Sequence, residues 1–373
     1  MIFEYFCSKR KRSVFMLKKI MIQLLTYPDI DPQQWQALID RSPYATWFQT
    51  KEAYEFYSSL PQEMTPFAVA IQRTNKLVAV CVGYITQAKN KLVQCLTCRA
   101  IIIGGPVIDE DATAEEITAL LNAVKKLQRS DLQPVGRSTA KRSTGLSPIY
   151  FETRNFHDYS RWKEVFQNAG FQYQPHLNFQ VDTTSKEIVD KNLGKSRKRD
   201  IRTTIREGVT PVMQPTIEQV REYYQILHIL YTTKVKTPLF SWRFFEQLYH
   251  TVHARFILTE YQGRIIGGTV CVELPNRALY EWFACGEDGV YDHIFPSCYA
   301  TYLGIQYAAE NECHIFDMMG AGKPNEAYGV RDFKAKFGGE LVEHGRFLCI
   351  RKPLLYWIGK MGVKLLKKDK ITI

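Results

Sequence analysis

Two stretches of this chain share one plan, and that limits the fold more than any other feature. From Pro66 the sequence reads PFAVAIQRTNKLVAVCVGYI, and from Ala254 it reads ARFILTEYQGRIIGGTVCVEL. Each is an apolar, β-branched run, a two-residue polar turn and a second such run, which predicts a β-hairpin. The strands expected are 67–72 and 77–86 across Asn75-Lys76, then 255–261 and 264–274 across Gln262-Gly263. Each hairpin leads into one more strand and then a helix: 92–103 with 112–128, and 279–285 with 296–311. The helix at 112–128 carries Ile117, Leu120, Leu121, Val124 and Leu127 at helical spacing. This repeated order predicts a duplicated α/β unit with a boundary near Pro175. The expected domains are residues 22–175 and 176–373, the second ending in a basic helix from Pro353. The polar stretch 129–147 reads as a loop.

A length of 373 residues suffices for two domains with ordinary cores. The 49 basic residues exceed the 38 acidic ones by 11. That excess favours anionic partners: nucleotides, phosphorylated intermediates, tRNA or a membrane surface. A merely basic soluble protein has the same composition. Nine cysteines in apolar surroundings, with no framework spacing, argue against a disulfide-stapled secreted protein. The one CxxC, Cys95 to Cys98, lies in an expected strand, where positions three apart face opposite ways. Neither a metal nor a redox pair is expected there, and the cysteines read as core or surface thiols. No window reaches the roughly 18 to 20 apolar residues of a membrane span. Residues 1–21 read as a basic leader, either disordered or begun at a start codon set too early, and they lack the apolar core of a signal peptide. The expected address is cytoplasmic.

Four segments carry candidate chemistry. KNLGKSRKRDIRTTIREG, from Lys191, places Lys195, Arg199, Arg202 and Arg206 at three- and four-residue steps, hence on one helical face. Arginine forks grip phosphate oxygens in pairs, and a solvated charged face is the alternative. DMMGAGKP, from Asp317, brings Gly320 and Gly322 into a turn after a short apolar strand. Its backbone N–H groups could cradle phosphate, or the turn is structural; it matches neither a Walker nor a dinucleotide motif. YGVRDFKAKFGG, from Tyr328, sets Arg331, Lys334 and Lys336 within two helical turns. A lysine there could neutralise phosphate or stabilise an oxyanion, while Phe333 and Phe337 pack the helix. PLLYWIGKMGVKLLKK, from Pro353, mixes apolar residues with lysine, which suits either an anionic membrane surface at the inner face of the membrane or a core-capping helix. The eight histidines show no metal spacing, and there is no G-x-S-x-G elbow and no evident carboxylate pair. Neither a covalent nucleophile nor a metal site is expected.

The segment 315–339 resembles the signature near the end of the Fem-type aminoacyltransferases, which build peptidoglycan interpeptide bridges and group with the GNAT-like acyltransferases. The matching pieces are FDMMGAG, YGVRDFK and Phe333-Lys334 to Phe337-Gly338. FQTKEAYEFY, IIIGGPV at Ile101 and the arginine-rich helix before Glu207 also match. The resemblance implies two tandem GNAT-like domains, each a mixed, mostly antiparallel sheet flanked by helices, with a substrate cleft between them. It implies an acyl or aminoacyl transferase acting on an amine of a cell-envelope or polysaccharide precursor, with direct attack and no covalent enzyme intermediate. It singles out Lys334 as catalytic and Arg199 and Arg202 as contacts for an acceptor diphosphate. Arg331, Lys336, Gly320, Gly322 and Tyr328 complete the candidate substrate-binding set. The partner implied is an anionic or lipid-linked precursor, with no bound cofactor. Segment 217–252 leaves room only for short helices where many bridge-forming members carry a long helical hairpin, and the Q/R-x-x-G-x-G/A acetyl-CoA loop is missing. The donor therefore stays open between aminoacyl-tRNA and acyl-CoA. A non-catalytic protein binding nucleic acid or an anionic membrane is the competing reading.

Overall fold

The computed structural model describes residues 13–17, 20–88, 95–128 and 147–368, with side chains between Ile22 and Met361. The chain forms two compact units: one takes the described residues up to Gln174 together with those from Gly345, and the other is Pro175–His344. In chain order the first contains β1 (Ser13–Leu17), β2 (Ile20–Thr26), α1 (Pro32–Arg41), α2 (Lys51–Ser58), β3 (Met64–Arg73), β4 (Lys76–Thr86), β5 (Ala100–Gly104), β6 (Val107–Ile108), α3 (Ala114–Lys126), β7 (Tyr150–Asn155), α4 (Lys163–Asn168) and β8 (Gln172–Gln174). The second contains β9 (Leu177–Asp182), α5 (Lys186–Asn192), α6 (Lys195–Arg206), β10 (Thr210–Val212), α7 (Ile217–Leu230), α8 (Trp242–Tyr249), β11 (Ala254–Tyr261), β12 (Arg264–Leu274), β13 (Ala278–Gly286), α9 (Pro296–Glu310), β14 (Ile315–Gly320), α10 (Gly329–Ala335) and β15 (Glu340–Glu343). The chain then returns to the first unit as β16 (Arg346–Ile350) and α11 (Pro353–Lys368).

The two sheets repeat one order. The first runs β1-β2-β3-β4-β5-β7-β16-β8 with β6 beside β4, and the second runs β10-β11-β12-β13-β14-β9-β15. Each has a single parallel pair, β5 with β7 and β13 with β14. A helix bridges each pair, α3 in the first and α9 in the second, as parallel neighbours require. Both hairpins form as the sequence predicts, though the first turns at Thr74-Asn75, one residue early. The turn residues there have φ of 44° and 67°, and those at Gln262-Gly263 have 50° and 76°, the left-handed geometry that matches strand twist. Capping boxes at Thr113/Glu116 and Thr216/Gln219 start α3 and α7. The apolar face read from spacing on α3, Ile117 to Leu127, is buried on the first sheet among Phe67, Val69 and Ile71.

Three expectations are corrected. Of the strand expected at 92–103, residues 92–94 lie outside the described residues, and among the others the strand is β5, with pairing to β4 beginning where Thr86 N–H donates to Arg99 O (2.9 Å). Residues 95–97 are helical, so the strand argument does not apply to Cys95 and Cys98; Cys98 is buried and Cys95 half-buried. The segment from Arg346, assigned by sequence to the second domain, completes the first sheet. There β16 pairs antiparallel with β7 from Arg346↔Arg154 to Ile350↔Tyr150 and also with β8, while Phe347 stacks on Phe166 at 4.2 Å. Part of the presumed leader, β1, is a strand paired with β2. The loop expected at 129–147 falls, up to residue 146, outside the described residues. Among the described residues no helix is long and apolar enough to cross a membrane.

Candidate active site

The site is built within the second unit, where β14 ends in a bulge. Its register against β9 shifts between Asp317 and Gly320, and Met319, between them, has φ of 58°. A non-glycine residue in that region stores strain that its surroundings must hold. Here Asp317 does the holding: its Oδ1 accepts from Met319 N–H (2.6 Å) and its Oδ2 from Gln180 Nε2 (3.0 Å). The chain then turns through Gly322, whose φ of 80° suits glycine, and beside which the Tyr328 ring packs.

The short helix α10 sends two cations back into this turn. Lys334 is buried, and its Nζ donates to Met318 O and to Gly320 O (2.9 Å). Arg331 Nε donates to Ala321 O (2.9 Å) and its Nη2 to Lys323 O. The turn therefore meets cations through its carbonyls. Two of its amides are spent inside the fold, Met319 N–H on Asp317 and Ala321 N–H on Leu177 O (2.6 Å). Those two amides are therefore not offered to an anion. The arrangement also gives Arg331 a main-chain role: it fastens the turn that Gly320 and Gly322 shape.

Two buried carboxyls act on Lys334. Asp317 lies on β14, and Glu281 lies on β13 beside Tyr280, the register partner of Asp317. Glu281 Oε1 accepts from Thr301 Oγ1 (2.8 Å) and Thr269 Oγ1 (3.2 Å). Burial lowers the Lys334 pKa, and the charges of Glu281 and Asp317 oppose that shift. Burial likewise raises Glu281, and it lifts Asp317 from 3.8 to about 6 against the Gln180 and Met319 hydrogen bonds and the Lys334 charge. Reading the sequence singled out neither acid; the fold buries both where their charges bear on the lysine. The available signal was an acid within each of two apolar strands, ALYEWFACG and IFDMMG, since buried acids are retained only with partners.

The Asp317 shift has a stability consequence of definite sign. Between about pH 4 and pH 6 the folded protein keeps a proton on Asp317 that the unfolded chain has released, so stability falls as pH rises through that window. That change is worth about 3 kcal/mol. Asp317→Asn keeps the acceptor for Met319 N–H and removes the titration. Denaturant unfolding across that range should show the wild type losing stability relative to Asp317→Asn; parallel curves would refute the assignment.

The basic helix α6 is anchored on its buried side. Arg197 lies beneath the ring of Phe333 (4.4 Å to its centroid) and near that of Phe337 (5.1 Å), donates to Phe333 O (3.4 Å), and pairs with Asp200 (3.3 Å). This arginine, absent from the one-face set read from sequence, joins α6 to α10. Lys195, Arg199, Arg202 and Arg206 are exposed, as their spacing predicts. Arg199 also donates to Asp200 Oδ1 (3.1 Å). Lys336 is exposed, two residues beyond the buried Lys334, and its carbonyl accepts from Gly194 N–H (3.0 Å). The structure thus gathers Lys334, Arg331, Gly320, Gly322 and Tyr328 about one turn, and leaves Arg199, Arg202 and Lys336 on the surface. Among the described residues no group of three His, Cys, Asp or Glu side chains could hold a metal ion.

Residues 251–364 match the FemAB family, a span that contains Glu281, Asp317 and all of α10. FemX shares the fold, with a TM-score of 0.66 at 13% identity over 90% of this chain and 99% of its own. A tandem GNAT protein from the clavulanic acid biosynthesis pathway gives 0.53 at 10% identity, covering 88% and 98%. L-PGS from Bacillus licheniformis gives 0.51 at 14% identity, covering 88% and 96%. None of the curated proteins matches the chain.

Proposed function

We propose that this chain, a GNAT-like acyltransferase of Fem type, carries an acyl or aminoacyl group to an amine of a cell-envelope or polysaccharide precursor. The observation that carries the reading is Lys334: a buried cation at a strained strand end, inside the matched segment, with two carboxyls acting on it. A lysine of this kind supplies positive charge where water is excluded, and there it acts far more strongly on a developing oxyanion than in solution. The acceptor amine attacks the activated carbonyl of the donor and forms the C–N bond. The ester or thioester bond then breaks, and the amine proton leaves with the departing group or to solvent. No covalent enzyme intermediate is required, so positioning and charge carry catalysis. The donor is an aminoacyl-tRNA or an acyl-CoA.

In this reading the exposed arginines of α6 hold the anionic part of the acceptor, with Arg199 and Arg202 in contact with its diphosphate and Lys336 adding charge nearby. The test is turnover with a nucleotide-linked sugar peptide bearing a free amine, supplied in turn with charged tRNA and acyl-CoA. Replacing Arg199 and Arg202 together by alanine should raise the acceptor KM at least roughly tenfold while kcat stays within a few-fold, because binding common to ground and transition states moves KM alone. An unchanged KM would remove α6 from the acceptor site. Absence of product with every donor would remove the reaction.

A further inference from the structure

The C-terminal helix α11 turns an apolar stripe outward. Leu354, Trp357, Ile358 and Met361 are 71, 58, 43 and 42% exposed. Their i, i+3, i+4, i+7 spacing makes them one face. Other residues hold the helix to its unit. The Tyr356 ring meets that of Tyr150 at 5.4 Å, Lys352 Nζ donates to Ser147 O (3.0 Å), and Arg351 Nη1 donates to Leu127 O (3.3 Å). The stripe is thus spare to the attachment. From Arg351 to Lys368 the sequence carries Arg351, Lys352, Lys360, Lys364, Lys367 and Lys368 and no acidic residue.

We propose that α11 lies flat on an anionic lipid bilayer, with the stripe sunk to the headgroup–acyl boundary and its lysines at the phosphates. Trp357 at the centre of the stripe suits that depth, since an indole has an apolar body and one polar N–H. Charge complementarity selects this occupant. A second copy of the helix would set lysine against lysine, and a nucleic acid would satisfy the lysines but leave four apolar side chains in water. Each lysine near an anionic surface adds about 1 kcal/mol of attraction, which together with the buried stripe gives the two signals that peripheral attachment needs.

The test sediments the full chain with vesicles of phosphatidylcholine alone and of phosphatidylcholine mixed with phosphatidylglycerol. Binding is expected only to the mixed vesicles, and it should weaken with salt. Trp357→Glu combined with Ile358→Glu should lower the bound fraction at least roughly tenfold. Lys360→Glu combined with Lys364→Glu should do so too, and this pair keeps the apolar face intact should the first pair disturb folding. The proposal fails if the mixed vesicles do not retain the chain, or if both pairs bind as the wild type does. It also fails if light scattering shows a dimer that the first pair converts to a monomer, or if single-stranded RNA competes the chain off the vesicles.

Discussion

Replacing Lys334 by methionine is expected to lower kcat/KM by roughly 10²–10³-fold, the cost of deleting one preorganised charge in the role proposed for it. Methionine preserves the apolar stem and removes only the ammonium. The loss should fall on kcat, with the acceptor KM little changed, the reverse of the pattern expected for Arg199 and Arg202. Stability should drop as well, by about 1–3 kcal/mol, because Met318 O and Gly320 O lose their shared donor. The two buried carboxyls would also lose the cation that favours their ionised forms. Steady-state kinetics beside denaturant unfolding separates the effects. A variant that keeps wild-type kcat would show that Lys334 only fastens the turn.

Gly338→Ala should destabilise the protein by about 2–5 kcal/mol, the sum of a left-handed alanine and a forced overlap. Gly338 has φ of 81°, and a Cβ there would run into the carbonyl of Asn192 at the end of α5. Gly194, two residues beyond Asn192, is also close: its own Cβ would lie 2.7 Å from Lys336 O. These two glycines let the end of α10 press against the α5–α6 junction, which sets where Phe333 and Phe337 meet Arg197. Gly208→Ala is the control, since Gly208 has φ of 91° with nothing within 4 Å of the added carbon. It should cost only the conformational part, about 1–2 kcal/mol. Equal losses in denaturant unfolding would mean that the close approach carries no energy.

Local chemistry made much of the fold legible. The hairpins and the α3 face depend on neighbours in sequence, and spacing reveals such things. The exposed face of α6 was legible for the same reason. Glu281 was not: thirty-six residues separate it from Asp317, and only the β13–β14 pairing and the inward reach of α10 bring both to bear on Lys334. Arg197 escaped because a basic helix reads as a surface; its burial depends on two aromatic rings, Phe333 of α10 and Phe337 just beyond it. The turn after β14 could be read from sequence either as an anion cradle or as a structural turn; the fold spends the Met319 and Ala321 amides internally and meets Lys334 and Arg331 through carbonyls. The fate of β16 was hidden because a strand's sequence specifies its pattern and not its partner.

That last strand bears on how the molecule is made. During synthesis the first two hundred residues emerge before Arg346 exists, so β7 has an open edge and β8 has no neighbour to pair with in its own sheet. The intervening unit, Pro175–His344, holds all seven of its strands and can close first. The first unit is therefore begun before the second and completed after it, and a nascent chain halted before Arg346 would carry an unsealed sheet of the kind that chaperones recognise.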